Sequence, residues 1–595
     1  MESLQPQIER FDNSLAELSP QKTLNINVGV LGHIDSGKTS LCKALSTIAS
    51  TAGFDKNPQS KERGITVDLG FSAFIIRIPE WFMQKHQDNI KSYEFIQFTL
   101  VDCPGHASLM KTIIGGASII DMMMLVIDAQ KLIQTQTAEC IVLGEILMDK
   151  LIVALNKVDM FEESKRNEMI ETQCKKLQNR FGFTRFGSHV PIIPCAAAPR
   201  AGIQAQLSEE EKKTDNIGQA IGITDLINSF LNNLEIPDRV VKNQPFLFSI
   251  DHCFQIKGQG TVLTGTVLSG SVKQGDTIEL PALKQEKKIK SMQMFRKPVT
   301  SAKQGDRLGI CVAQLDSSLI ERGIATTPKS LLSTDLIVAL VKKIPYFTEE
   351  VKNKAKFHIT IGHQTVIGQS IFFTAKDPSE MDNFEIQFSK AALMNNKSVV
   401  SLDTSIEYQF VNDIKAQKLQ QQKKPQEEEK KGAQSSQSQV PIYYSVIKLE
   451  KEIFIQPQSL LIASKLDKDI SAKQCRLAFY GQVISLGQNQ EALYNIRIAK
   501  EKVKVGKIDR IMTPSQVLVK DIFKKETAPE VFMNKTVTLM ALDIEGVITG
   551  TFGKSGKQKV DLKQQLTAEQ QEILINTEVQ LKVKVYSKEL AKLNK

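Results

Sequence analysis

The sequence predicts a multidomain chain with a doubly wound α/β domain in front, antiparallel β-barrels behind it, and a last, mostly β segment. Three observations predict this. From Asn25 to about Glu235, short apolar runs alternate with amphipathic stretches. After Ile236-Pro237-Asp238 the texture changes to short alternating runs broken by glycine. At 595 residues the chain exceeds what one core can serve, so roughly three to five domains are expected.

Residues 1–22 are polar and mildly acidic, unlike a signal or transit peptide, and are read as an extension whose order is left open. The run 27–32 (NVGVLG) is followed by the amphipathic 38–49. The run 95–102 (FIQFTLVD) precedes 107–116, 121–129 (DMMMLVIDA) precedes 135–148, and 151–156 (LIVALN) precedes a Lys-rich helical stretch. Continuous apolar runs of this length read as parallel strands covered on both faces, which places the α/β domain at 23–238. Residues 258–276 (GQGTVLTGTVLSGSVKQGD) alternate and turn on glycine, as barrel strands do. Barrels are therefore expected at 239–332 and 333–485. Within the second, 413–440 has too few apolar residues to bury and reads as a disordered loop. A basic β domain is expected at 486–595.

Composition limits the classes. Hydrophobic residues are 41% and charged residues 24%, ordinary for a globular protein. No apolar run approaches the roughly 18–20 residues a membrane helix needs, so no membrane partner is expected. Eight scattered cysteines without a C-x-x-C pair read as reduced thiols of a cytoplasmic protein, not a zinc site. Net charge is +10, and residues 486–595 hold 19 Lys/Arg against 13 Asp/Glu. That surplus suits a nucleic-acid partner, or a solvated Lys-rich surface.

Four short strings point to chemistry. Gly32 to Thr39 fits G-x-x-x-x-G-K-[ST] directly after an apolar strand. Gly32 and Gly37 free backbone amides to cradle phosphates, Lys38 reaches the β/γ oxygens, and the Thr39 hydroxyl suits Mg²⁺. Ser36 and Ser40 complete the phosphate loop. Asp102 ends the next apolar run, where a carboxylate can hold Mg²⁺ through water and the Gly105 amide can bond a γ-phosphate. Thr66 either completes the metal's coordination while that phosphate is present or is a surface threonine. Asn156, Lys157 and Asp159 follow a third strand. A carboxylate at Asp159 accepts from N1–H and N2–H₂ of guanine, which adenine lacks, so GTP is the expected nucleotide. Cys195, Ala196 and Ala197 either present an amide to guanine O6 or simply end a strand.

These strings (GHIDSGKT, ERGIT, DCPGH, NKVD), with the barrel string DHCFQIKGQGTVLTGTVLSGSVKQGD, resemble the translational GTPases of the elongation-factor-Tu superfamily. The stretch from Ser46 to Phe71, that from Ser291 to Val312, CRLAFYGQVI from Cys475 and GTFGKSGKQKV from Gly550 are more similar to the eukaryotic selenocysteine-specific branch. So is Ser36, where bacterial Tu-like factors usually carry histidine. The resemblance implies that His106 positions the attacking water and that hydrolysis accelerates on the ribosome. It also implies that Asp35 helps hold a monovalent cation beside the phosphates. A pocket of Asp251, His252 and Arg307 would recognise selenocysteine, whose selenol is an anion near neutral pH where serine is not. The implied partners are selenocysteinyl-tRNA, the ribosome and a selenocysteine insertion RNA element met through an RNA-binding protein. The chain is expected to act as a monomer. Lys500, Lys502 and Lys504 share one face of a strand-like run, and Lys554, Lys557 and Lys559 cluster at a glycine turn; either group contacts RNA or is a solvated rim. Two alternatives stand beside this: an initiation-factor-two-gamma-like carrier, against which the missing zinc-knuckle cysteines count, and a GTPase subunit of a metabolic enzyme.

Overall fold

The computed structural model describes residues 10–11, 19–47, 70–86, 90–103, 119–198, 220–237, 239, 244–294, 297–362, 364–375, 402–416, 442–456, 458–467, 474–486, 496–523, 528, 531–553 and 556–587. Thr66, Gly105, His106 and Lys554 lie outside these residues, as does 417–440 of the predicted loop. The chain forms two compact units.

The first unit begins with a seven-stranded sheet. Its strands are β1 (Arg10–Phe11), β2 (Thr23–Gly32), β3 (Gly70–Arg77), β4 (Phe95–Asp102), β5 (Met122–Asp128), β6 (Leu151–Asn156) and β7 (Ile192–Pro194). Their order is β1-β3-β4-β2-β5-β6-β7. β4, β2, β5, β6 and β7 are parallel, while β3 runs antiparallel to β4 and β1 antiparallel to β3. The flanking helices are α1 (Lys38–Leu45), α2 (Glu80–Lys85), α3 (Thr135–Leu147), α4 (Arg166–Phe181) and α5 (Ile223–Asn233). Every residue of β2, β4, β5 and β6 is buried, as expected of strands covered on both faces. Val28, Leu41, Leu100, Met124, Leu226 and Phe230 belong to one core. The chain order reverses on either side of β2, so a crevice for a ligand opens beyond that strand's carboxyl end.

A seven-stranded antiparallel sheet from β8 (Leu247–Ile256) to β16 (Gly323–Thr326) follows, closed by the pairing of β11 (Thr277–Leu280) with β12 (Gln285–Met294). It is locked to the α/β domain at the linker. Arg239 pairs with Asp121 at 2.8 Å and donates to the Asn25 carbonyl at 2.7 Å, while Asn25 donates to the Gly305 carbonyl at 2.7 Å. A second barrel runs from β17 (Leu332–Lys343) to β23 (Leu477–Leu486) and closes through β18 (Lys356–Ile361) against β19 (Gln364–Ala375). Arg476 beside β23 donates through Nε (2.9 Å) and Nη2 (2.8 Å) to the Glu139 carboxylate on α3, with both side chains buried.

The second unit is a further barrel. Its strands are β24 (Arg497–Thr513), β25 (Gln516–Lys520), β28 (Lys557–Leu562), β27 (Ile544–Phe552), β26 (Thr536–Leu539) and β29 (Glu578–Tyr586), the last closing on the first. Helix α6 (Ala568–Leu574) starts in a capping box of Thr567 and Gln570.

Two sequence expectations change, and one open point gains an answer. In the 1–22 extension Arg10 and Phe11 form β1, because the outer edge of β3 offers unpaired backbone. Residues 413 and 414, read as the start of a disordered loop, are packed: Asp413 accepts the Val351 amide at 2.7 Å and Ile414 is fully buried. The last domain is also discontinuous. Phe373–Ala375 and β20 (Glu407–Phe410), inside the predicted 333–485 barrel, pair with each other, and β20 pairs with β24. Pairing between strands far apart in sequence leaves no mark on local texture.

Candidate functional site

The phosphate loop sits between β2 and α1, and its shape is set by two left-handed positions. Gly37 has φ +90°, and a Cβ there would lie 2.2 Å from the Asn156 side-chain nitrogen. Asp35 has φ 58°, which an aspartate tolerates better than most residues. Lys38, the first residue of α1, is buried and donates to the carbonyls of Gly32 (3.2 Å) and His33 (2.7 Å). Burial holds its pKa below the usual lysine value.

Next on the helix, the Thr39 hydroxyl donates to Asp102 Oδ2 at 2.6 Å, although the two residues are 63 positions apart. Asp102 is buried and its Oδ1 has no hydrogen-bond partner among the described residues. Burial raises its pKa, opposed by the Thr39 hydrogen bond and the Lys38 charge. Ser36 Oγ and His33 Nδ1, in the same loop, are likewise buried without a partner there. Ser40 faces outward. The structure thus brings Gly32 to Thr39 together with Asp102 at one crevice.

The base end shows contacts between loops that the sequence does not reveal. Asn156 donates through Nδ2 to the Ser36 carbonyl (2.9 Å) and accepts the Ala197 amide on Oδ1 (3.1 Å). Both ends of its side chain are engaged, so it staples the phosphate loop to the 195–197 loop, while Nδ2 carries a second hydrogen beyond the one given to Ser36. Of the two readings of Cys195, Ala196 and Ala197, the hydrogen bonds of their amides favour the strand end, directly after Pro194. Cys195 donates to Leu155, Ala196 to Ile221, and Ala197 to Asn156. Asp159 lies half-buried in the single 3₁₀ turn Val158–Met160 that follows. Lys157, left-handed at φ 67°, pairs with Asp128 at 2.9 Å and runs beside Gly37.

Asp128 was missed in the sequence. Burial raises its pKa, but the hydrogen bond from Lys157, the amides of Gln130 and Lys131 and the lysine charge outweigh that, and the net is below the usual carboxylate value. The only signal was an acid near the end of the run 121–129, which a strand end explains equally well.

The residues of the predicted amino-acid pocket meet in the first barrel. β8 pairs with β9 (Gly260–Ser269), and the register shifts between Ile250 and His252, so Asp251 is the bulged residue. Bulges re-aim side chains. Asp251 pairs with Arg307 at the start of β15 (Arg307–Val312), and accepts from Thr264 Oγ1 at 3.2 Å. Arg307 also reaches Thr266 Oγ1 at 3.4 Å, and its guanidinium lies 3.3 Å from the centre of the Phe71 ring. Arg307, Asp251 and Phe71 are all buried. His252 Nε2 is buried without a partner among the described residues. Phe71 belongs to β3 of the α/β domain, so it cannot be assigned to a barrel pocket from its sequence neighbours.

In the second unit, the β24–β29 register keeps Lys500, Lys502 and Lys504 on one face, as alternation predicted. Lys500 lies 4.7 Å over the Phe410 ring and bonds Asn412 at 3.2 Å, and Lys504 lies 4.0 Å over Phe523. Lys557 pairs with Asp509 at 2.6 Å, and Lys559 lies 5.9 Å from the Phe552 ring. Lys502 is exposed. Most of these lysines thus have local tasks.

Comparison with known proteins gives the family. A family model described as "Elongation factor Tu GTP binding domain" matches residues 23–255, and "Elongation factor Tu domain 2" matches 260–324. With the phosphate loop and the barrels behind it, they define a translational GTPase. The rest of the chain narrows this. "Selenocysteine-specific elongation factor, eukaryotes, 3rd domain" matches 338–481, and "eEFSec C-terminal RIFT domain" matches 494–594. The mouse selenocysteine-specific elongation factor is 44% identical over 567 residues, covering 93% of this chain and 91% of its own. The Methanocaldococcus jannaschii protein of that name is 30% identical over 536 residues, covering 89% and 93%. The chain belongs to the eukaryotic selenocysteine-specific elongation factor family. The crystal structure of elongation factor SelB from Methanococcus maripaludis, apo form, shares the fold with a TM-score of 0.65 at 24% identity, covering 95% of this chain and all of its own. Its complex with the GTP analogue GPPNHP gives 0.64, covering 95% and 99%.

Proposed function

We propose that this chain carries selenocysteinyl-tRNA in its GTP form, delivers it to the ribosome at recoded UGA codons and hydrolyses the GTP there. The observation supporting the nucleotide half is the Thr39–Asp102 pair at 2.6 Å with Asp102 Oδ1 left over. A hydroxyl beside a carboxylate at a helix N-terminus suits Mg²⁺, which takes one or two protein oxygens and fills its shell with water and phosphate. Thr39, Asp102 and, from the sequence, Thr66 would hold the ion, which when bound neutralises charge on the β- and γ-phosphates. Lys38 exchanges the Gly32 and His33 carbonyls for phosphate oxygens. Asp159 accepts from the guanine edge, Gly105 donates to the γ-phosphate, and His106 orients the attacking water. Asp35 is the proposed ligand of a monovalent cation beside the phosphates.

For the amino acid, the buried Arg307–Asp251 pair suggests an exchange. A selenolate can replace the Asp251 carboxylate against Arg307, with His252 Nε2 as a further partner, whereas a seryl hydroxyl cannot compensate the guanidinium. The basic last barrel meets the selenocysteine insertion RNA element through an RNA-binding partner, with the exposed Lys502 among the contacts. The factor acts as a cytoplasmic monomer. Equilibrium binding of selenocysteinyl- and seryl-tRNA, each with a non-hydrolysable GTP analogue and with GDP, tests this. Tight binding of the selenocysteinyl form in the analogue state alone is expected; equal binding of both tRNAs, or in both states, overturns it.

A further inference from the structure

The short strand β1 touches two elements that flank the nucleotide site. Its Arg10 and Phe11 pair with Ile76 and Ile75 of β3. Arg10 Nη1 donates to the carbonyls of Ala44 (2.7 Å) and Leu45 (2.9 Å), the last residues of α1. Carbonyls in the last turn of a helix have no partner within it, and a guanidinium there also meets the negative end of the dipole. Just beyond, the Ser46 hydroxyl donates to Ser72 Oγ at 2.7 Å and the Thr47 amide to the Ala73 carbonyl at 3.0 Å. The exit of α1 is thus tied to β3 from both sides.

At their other ends these elements carry the site. α1 begins with Lys38 and Thr39. β3 pairs with β4 along its whole length, and its first residue, Gly70, stands opposite Asp102. α1 is eight residues long, about 12 Å. A rocking of α1 at its carboxyl end therefore displaces the Thr39 hydroxyl relative to Asp102.

We infer that Arg10 is a positioning residue for nucleotide retention: the strap fixes α1 against β3 and so holds Thr39 in register with Asp102. This rests on the proposed Mg²⁺–GTP reading of that pair. The strap touches neither nucleotide nor metal, so its effect should depend on the ion. Without Mg²⁺ the mutual placement of Thr39 and Asp102 has nothing to hold, and the strap should matter little.

Dissociation of a fluorescent GTP analogue from the full chain, from Arg10→Ala and from Arg10→Lys, with Mg²⁺ and with excess EDTA, tests it. With Mg²⁺, Arg10→Ala is expected to release nucleotide roughly five- to tenfold faster, since Å-scale misplacement is costly. Arg10→Lys, which keeps a charged donor, should fall between it and the parent. In EDTA all three should agree within about twofold. Release by both variants within twofold of the parent in Mg²⁺, or acceleration of equal size in EDTA, overturns the inference. A parent that binds no GTP overturns the functional reading and this inference with it.

Discussion

Asn156→Ala separates two roles for one residue. The sequence groups Asn156 with the guanine-reading acid Asp159, and the structure adds a staple between Ser36 and Ala197. The side chain is 2% exposed, so the truncated protein strands a carbonyl and an amide where water barely reaches. Each costs about 1–3 kcal/mol, or ~4 kcal/mol for the two. If half of that falls on the nucleotide-bound state, affinity drops by ~2 kcal/mol, roughly 30-fold. Loss of the staple alone should weaken GTP, GDP and xanthosine triphosphate equally, because it acts on the phosphate loop that all three share. Asp159→Asn should behave differently, losing the acceptor for N1–H and N2–H₂ and gaining a donor for the C2 carbonyl of xanthine. Competition titrations of all three nucleotides against both variants check this. An Asn156→Ala protein that binds GTP within twofold of the parent refutes the staple, and one that shifts the ratio of guanine to xanthine nucleotide refutes the staple as its only role.

Three further outcomes follow from the geometry. Asp102→Asn should abolish the Mg²⁺ dependence of nucleotide affinity while leaving the fold intact, because the amide keeps the Thr39 hydrogen bond; an unchanged Mg²⁺ titration refutes it. Arg307→Ala should raise the binding of seryl-tRNA relative to selenocysteinyl-tRNA by at least about tenfold, a loss of ~1.4 kcal/mol in discrimination, and it should also strand the Asp251 carboxylate and lower the melting temperature. Unaltered selectivity removes Arg307 from the pocket. Asp128, held below the ordinary carboxylate value of about 3.9 by Lys157 and two amides, stabilises the fold above that value and loses its contribution as pH falls through its lowered folded value. Asp128→Asn should therefore flatten the acid limb of the unfolding curve, and an unchanged limb refutes the pairing.

The α/β domain and the phosphate loop were legible because their physics is local. A strand covered on both faces must be apolar throughout, and an amide cradle needs glycines at fixed spacing before a helix, so β2, α1, Lys38 and Thr39 fell where the sequence put them. Asp102 was legible as an acid ending an apolar run. Asn156 was legible as a site residue but not as a staple, since its partners Ser36 and Ala197 lie 120 and 41 residues away. The mostly β character of the last domain was legible, yet β20 was assigned to its neighbour because β20 has barrel texture wherever it pairs.

The residues alone determined the strand and helix texture and the glycine-bounded turn before α1, each fixed by periodicity or by a backbone conformation that few residues adopt. Tertiary structure alone decided which distant groups share one low-dielectric space. It put Asp102 against Thr39, closed Phe71 over Arg307, assigned Asp128 to Lys157 and drew the outlying Arg10 onto the end of α1. Such pairings depend on how sheets, helices and barrels stack, and hydrogen bonds and ion pairs formed across that stacking carry no periodicity along the chain.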